Sequence, residues 1–208
     1  MAISPGLQNR KVDIPYQGFR LERPRNTDVR GREFLEEQEV EQLIKAARKT
    51  GRYGQRDATM ILLAYWHGLR VGELVALRWD QINLETGRIY VRRLKNGNDQ
   101  LQPLGGRSLR ELRQLQREWP IRDCVFQSER GAPLVPDAVR KIVARAGRVA
   151  GFTFPIHPHM LRHGCGYRMV NDGDHLAVIQ DYLGHKNVHH TRKYTQLSVK
   201  KFAKVRRN

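Results

Sequence analysis

One sustained window of this chain carries strand patterning, and helical spacing flanks it on both sides. That asymmetry constrains the fold more than any other feature. Arg88-Ile-Tyr-Val-Arg-Arg-Leu94 is rich in β-formers and partly alternating. Lys95-Asn-Gly-Asn-Asp99 is turn chemistry and Gln100 to Leu104 is a candidate return strand, so residues 82–104 read as β with a hairpin turned at Lys95. Ahead of it, Phe34, Val40, Leu43, Ile44 and Ala47 recur at helical intervals until Gly51 and Gly54 break the run. Further helices are expected over Arg56–His67 and Gly72–Leu77. Beyond the hairpin they are expected over Ser108–Trp119, from Pro136 to Ala150 with proline in the first helical position, and over 157–172, 174–183, 188–194 and 198–205. Val125–Phe126 reads as a short strand before the Gly131-Ala-Pro133 turn. The expected class is mainly α with a small antiparallel β-sheet (α+β). Residues 34–208 form one domain, preceded by a basic, flexible arm over 1–33 that holds Pro5, Pro15 and Pro24.

Hydrophobic residues make up 39% of the chain, enough for a modest core where 28% of residues are charged. Lys and Arg number 38 against 21 Asp and Glu, a net charge of +17. That much like charge works against a compact state unless a polyanion neutralises it, and nucleic acid is the usual partner. Ribosome association and acidic membranes are the competing explanations. No apolar run approaches the length of a membrane span and no leader-like apolar stretch opens the chain, so a soluble, cytoplasmic protein without a membrane partner is expected. Cys124 and Cys165 stand far apart and form no Cys-x-x-Cys pair, which fits a reducing interior.

Four places hold residues suited to chemistry on a phosphate. In Gly68-Leu-Arg70-Val-Gly72-Glu73-Leu74, a guanidinium between two short helices can take a phosphate bidentately, with Glu73 three residues on to orient it. Alone, the same pattern is an ordinary surface ion pair. Lys95 at the hairpin tip can donate a proton to a leaving alkoxide, though most turn lysines are simply solvated. In His157-Pro-His159-Met-Leu-Arg162-His163, His159 and Arg162 share a helix face, a proton carrier beside a fixed cation. These histidines could instead pack in the core, or bind metal with His185 or His189-His190, although no spacing typical of zinc sites supports a metal. In Leu183-Gly-His185 through Thr191-Arg-Lys-Tyr194, a tyrosine with basic neighbours can attack phosphorus, or can be a buried tyrosine on a short helix.

Order and spacing change the weight of these features. Arg70, Lys95, His159-Met-Leu-Arg162, His185 and Tyr194 follow one another as in the tyrosine recombinase (phage integrase) family, which the chain resembles over roughly residues 34–200. It is similar in particular to the short fimbrial phase-switch recombinases of the Fim type, through Tyr90-Val-Arg-Arg-Leu-Lys95, Ile156-His-Pro-His-Met-Leu-Arg-His-Gly-Cys-Gly166 and Ile179-Gln-Asp-Tyr-Leu-Gly-His185. Those proteins lack the separate N-terminal core-binding domain of most integrases, and residues 1–33 are too short to form one here.

The resemblance implies two transesterifications on double-stranded DNA, with Tyr194 forming a 3′-phosphotyrosyl link and releasing a 5′-hydroxyl. It implies that Arg70 and Arg162 hold the non-bridging oxygens, that Lys95 protonates the 5′-oxygen, and that His159 takes the tyrosine proton or binds phosphate. His185 would bond a phosphate oxygen and Glu73 would position Arg70. No metal, ATP or other cofactor is implied. A homo-tetramer on two DNA sites, monomeric when free, is implied, with DNA-bending proteins as candidate accessories; residues 198–208 could dock into a neighbouring protomer through Val199, Phe202 and Val205, or could equally be a basic tail on phosphate. Inversion of a DNA segment is the expected role, and integration or excision of a prophage or mobile element the alternative. A catalytically silent DNA-binding regulator, a topoisomerase and a metal-dependent nuclease are the rival classes.

Overall fold

Helix ends fall where the sequence is punctuated. Helix α1 (Glu37–Lys49) starts behind Glu36, whose N–H donates to the Glu39 carboxylate at 2.8 Å. Then come α2 (Gly54–Trp66), α3 (Val71–Val75), α4 (Gly106–Glu118), α5 (Pro136–Val149), α6 (Pro158–Asp172), α7 (Leu176–Leu183) and α8 (His189–Gln196). Proline opens both α5 and α6, and left-handed Gly173 and Gly184 close α6 and α7. The computed structural model describes residues 32–94, 97–119 and 123–196. Residues 1–31 of the expected arm, Lys95 and the segment 198–208 lie outside the described residues.

The mainly helical class with a small antiparallel sheet is what the structure shows, with two differences in the strands. The hairpin is β2 (Arg88–Val91) paired with β3 (Gln100–Pro103), in register Ile89↔Gln102 and Tyr90↔Leu101. A third strand, β1 (Ile82–Asn83), adds to the far edge of β2. Its turn is made by the Asn83 side chain, which accepts the N–H groups of Glu85 and Thr86 at 3.0 and 2.7 Å. The expected strand at Val125–Phe126 is not one. Its neighbours Cys124 and Gln127 make single bridges to Arg78 and Pro133, and the Ser128–Gly131 turn reverses the chain before a ladder can extend.

Two helices run through the interior and the others wrap them. Helix α2 is buried on almost every side, and α1, α4 and α6 pack against it. Its buried charges are paired, as burial requires: Arg56 bonds Asp57 at 2.7 Å and the Gln127 carbonyl at 2.7 Å. Helix α6 is buried nearly as fully, with α7 and α8 on its other side. These last three helices enclose a second, smaller cluster of Cys165, Met169, Ile179, Leu183 and Tyr194. The sheet is tied to α7 by Gln102, which donates to the Tyr182 carbonyl at 3.0 Å and meets His67 Nδ1 at 3.0 Å. Burial pulls the His67 imidazole down to about 4, so it stays neutral there.

Candidate active site

The site is built from helix ends. Arg70 stands just before α3 in extended backbone, and Glu73 clamps it at both ends. Its N–H donates to Glu73 Oε2 at 2.9 Å and its Nη1 to Oε1 at 2.7 Å. The carboxylate is buried, while 27% of the Arg70 side chain stays accessible. Burial alone would raise the Glu73 carboxyl, but Arg93 and Arg70 outweigh it and hold the group below the usual carboxylate range.

Arg162, on α6, is fully buried and donates Nη1 to the Gly68 carbonyl and Nη2 to the Leu183 carbonyl. The Leu183 carbonyl closes α7, where the helix end carries partial negative charge that suits a cation, and the Gly68 carbonyl lies just past the cap of α2. Burial, with the charges of Arg70 and Arg93 nearby, lowers its guanidinium to about 10, so it remains charged at neutral pH.

Gly184 caps α7 at φ 62°, a conformation that favours glycine, and turns His185 into the site. The His185 N–H donates to the Gln180 carbonyl at 2.9 Å, and its own carbonyl accepts from Gln180 Nε2 at 3.0 Å. His185 Nδ1 meets Thr191 Oγ1 at 2.9 Å, which orients the ring. The ring stacks on Tyr194, with planes 20° apart and centroids 6.2 Å apart.

Tyr194, on α8, is fully buried, and its hydroxyl meets His163 Nδ1 at 3.0 Å. Burial raises its phenol above the ordinary value, and nearby Arg162 opposes this only in part. His159, one turn before His163 on α6, is exposed and sets its ring edge-on against His163 at 4.2 Å.

Arg70, His159, Arg162, His163, His185 and Tyr194 line one cavity of about 360 Å³. Glu73 sits behind Arg70, and Lys95 lies outside the described residues. Arg70, Arg93 and Arg162 cluster around the Glu73 carboxylate, with Glu33 4.0 Å from His163 Nε2, so among the described residues the cavity keeps an excess of fixed positive charge suited to an anion. Among the described residues no three His, Cys, Asp or Glu side chains gather as a metal-binding set.

Residues 33–201 match the model of the phage integrase family. This chain belongs to that family. As a phage integrase family member it is a tyrosine recombinase, and its relatives span several kinds. It is 39% identical over 178 residues to the type 1 fimbriae regulatory protein FimE of Escherichia coli K12, covering 83% of this chain and 89% of FimE. It is 34% identical over 205 residues to the tyrosine recombinase XerD of Pseudomonas putida, covering 95% of this chain and 64% of XerD. The crystal structure of XerA recombinase superposes with a TM-score of 0.74 at 25% identity, over 84% of this chain and 65% of that one.

Three residues of this family member gained a place only from the structure. His163 was legible as part of Leu-Arg-His but not as the partner of the Tyr194 hydroxyl. Gly166 is the seat of the Tyr194 ring: a Cβ there would lie 2.6 Å from Tyr194 Cε2. Its signal was the Gly-Cys-Gly interruption of a helix, where glycine otherwise costs stability. Arg93, buried behind Glu73, looked like one more strand-end arginine.

Gly166→Ala is therefore expected to push Tyr194 off its seat. The overpacking should cost about 1–3 kcal/mol. DNA cleavage should fall while DNA affinity holds. Thermal melting with a nicked-substrate cleavage assay checks this, and wild-type cleavage in the alanine variant would contradict it.

Proposed function

We propose that this recombinase cuts and rejoins double-stranded DNA through a 3′-phosphotyrosyl bond to Tyr194, and that it inverts a DNA segment. One observation carries the chemistry: the tyrosine and two arginines face the same positively charged cavity. Tyr194 attacks phosphorus as the 5′-oxygen leaves. Arg70 and Arg162 hold the non-bridging oxygens, where negative charge grows in the transition state. With burial keeping the phenol protonated, the proton must pass to a neighbour, and His163 is already within hydrogen-bond distance. His159, expected from sequence to take this proton, stands at the cavity edge where it can contact phosphate. His185 holds a phosphate oxygen and backs the Tyr194 ring. Lys95 protonates the leaving 5′-oxygen, which departs as the 5′-hydroxyl.

Each phosphodiester is exchanged for a phosphotyrosine of similar energy, so rejoining needs neither ATP nor a metal. Exchange between two duplexes takes four cuts, hence four protomers on two sites. The protein acts in the cytoplasm, free as a monomer, with accessory DNA-bending proteins where the sites lie far apart. What supports inversion over integration is the likeness to the Fim type across 83% of this chain.

The test uses DNA from around its own gene, with two sites in inverted orientation between distinguishable flanks and excess chelator present. Strand-transfer chemistry predicts protein covalently bound to DNA after denaturation, and inversion predicts exchanged flanks. Relaxed circles without exchange would point to a topoisomerase. Activity lost on chelation would contradict the metal-free mechanism.

A further inference from the structure

One deeply buried charge near the site belongs to a residue that the chemistry above does not use. The Arg93 side chain is wholly inaccessible. Burying a guanidinium is costly, and it persists only where its partners are fixed. Its Nη1 donates to Glu73 Oε2 at 2.6 Å, the same oxygen that accepts the Arg70 N–H. Its Nη2 donates to the carbonyl of Tyr182, two residues before Gly184. The stem is gripped as well: a Cβ on Gly184 would lie 2.9 Å from Arg93 Nε, and one on Gly97 would lie 2.9 Å from Arg93 Cβ. The Arg93 N–H donates to Asp99 Oδ1 at 2.8 Å, and Asp99 Oδ2 accepts from the Tyr90 hydroxyl at 2.9 Å, so the hairpin neck that carries Arg93 is itself held.

We infer that Arg93 is a positioning residue that aligns two phosphate contacts at once, Arg70 through Glu73 and His185 through the Tyr182–Gly184 turn. The inference rests on the strand-transfer reading. The physical logic is preorganisation. Glu73 has two oxygens, and Arg70 is aimed only while Glu73 is held at a fixed angle, which Arg93 does from behind. The turn into His185 packs on the other side of the same stem, so a shift of the guanidinium displaces both contacts together. Ordinary fold stabilisation would make no distinction between a charged and an uncharged phosphate. A residue that aims cations does make that distinction.

The experiment uses the full chain and a nicked DNA substrate that prevents rejoining. The scissile group is either a normal phosphodiester or a methylphosphonate, in which a methyl replaces one non-bridging oxygen and removes the charge. Arg93→Met keeps most of the stem and loses the fork. At saturating DNA it is expected to slow phosphodiester cleavage by about 10–100-fold, with DNA affinity and methylphosphonate cleavage each within about 3-fold of wild type. Arg93→Lys, which keeps the charge but not the fork, should show the same selective loss to a smaller degree, and it carries the test if the methionine variant fails to fold. An equal loss on both substrates, or no loss on either, would overturn the inference. An absence of any DNA adduct with the wild-type protein would overturn the strand-transfer reading, and this inference with it.

Discussion

Tyr194→Phe abolishes covalent capture of DNA and leaves DNA binding intact. The ring sits on Gly166 and stacks against His185, and neither contact needs the hydroxyl. Its edge-on packing with Tyr167, at 5.1 Å between centroids, survives as well. The fold should lose the hydrogen bond to His163, a cost of about 1 kcal/mol. The chemistry loses everything, because no attacking oxygen remains in the cavity at that position and transesterification has no substitute step. Filter binding should therefore match wild type, while gels run after denaturation show no shifted band. Capture that persists in the phenylalanine variant would mean that another side chain is the nucleophile.

Arg162→Met is expected to damage both chemistry and fold, and the two effects can be separated. Removing one preorganised donor to a developing oxyanion costs about 10²–10³ in rate. The fold loses the two bonds that tie the ends of α2 and α7 together. Leaving the buried Gly68 and Leu183 carbonyls without that donor should cost about 1–3 kcal/mol each. Melting measurements report the second effect. Single-turnover cleavage below the melting transition reports the first. Arg162→Lys keeps the charge but cannot reach both carbonyls and a phosphate at once, so it should regain stability more than rate. A methionine variant that cleaves at the wild-type rate would remove Arg162 from the chemistry.

The fold was legible where periodicity and punctuation agreed. Pro136, Pro158, Gly173 and Gly184 mark helix ends that the structure keeps. Strand β1 falls inside the window 82–104 that reads as β, though its two residues carry no alternation that would set it apart from the hairpin, and Val125–Phe126 misled because two apolar β-formers in a row look alike in a strand and in a buried bend. For the site, an ordered set of residue types could be read along the chain. What could not be read was which imidazole meets the phenol. His159 and His163 stand one turn apart on the same helix, and burial against α8 separates them only in three dimensions. The role of Arg93 was hidden for a similar reason: a strand-end arginine is ordinarily solvated, and only packing against Gly97 and Gly184 reveals it as buried.

The most direct measurement locates the covalent bond itself. Protein trapped on a nicked site is digested with trypsin and nuclease, and the peptide that keeps a nucleotide is sequenced by mass spectrometry. The modified residue is predicted to be Tyr194, in the peptide that runs from it to Lys200. A nucleotide found instead on Tyr167, Tyr182 or His163 would contradict the assignment on which the mechanism is built.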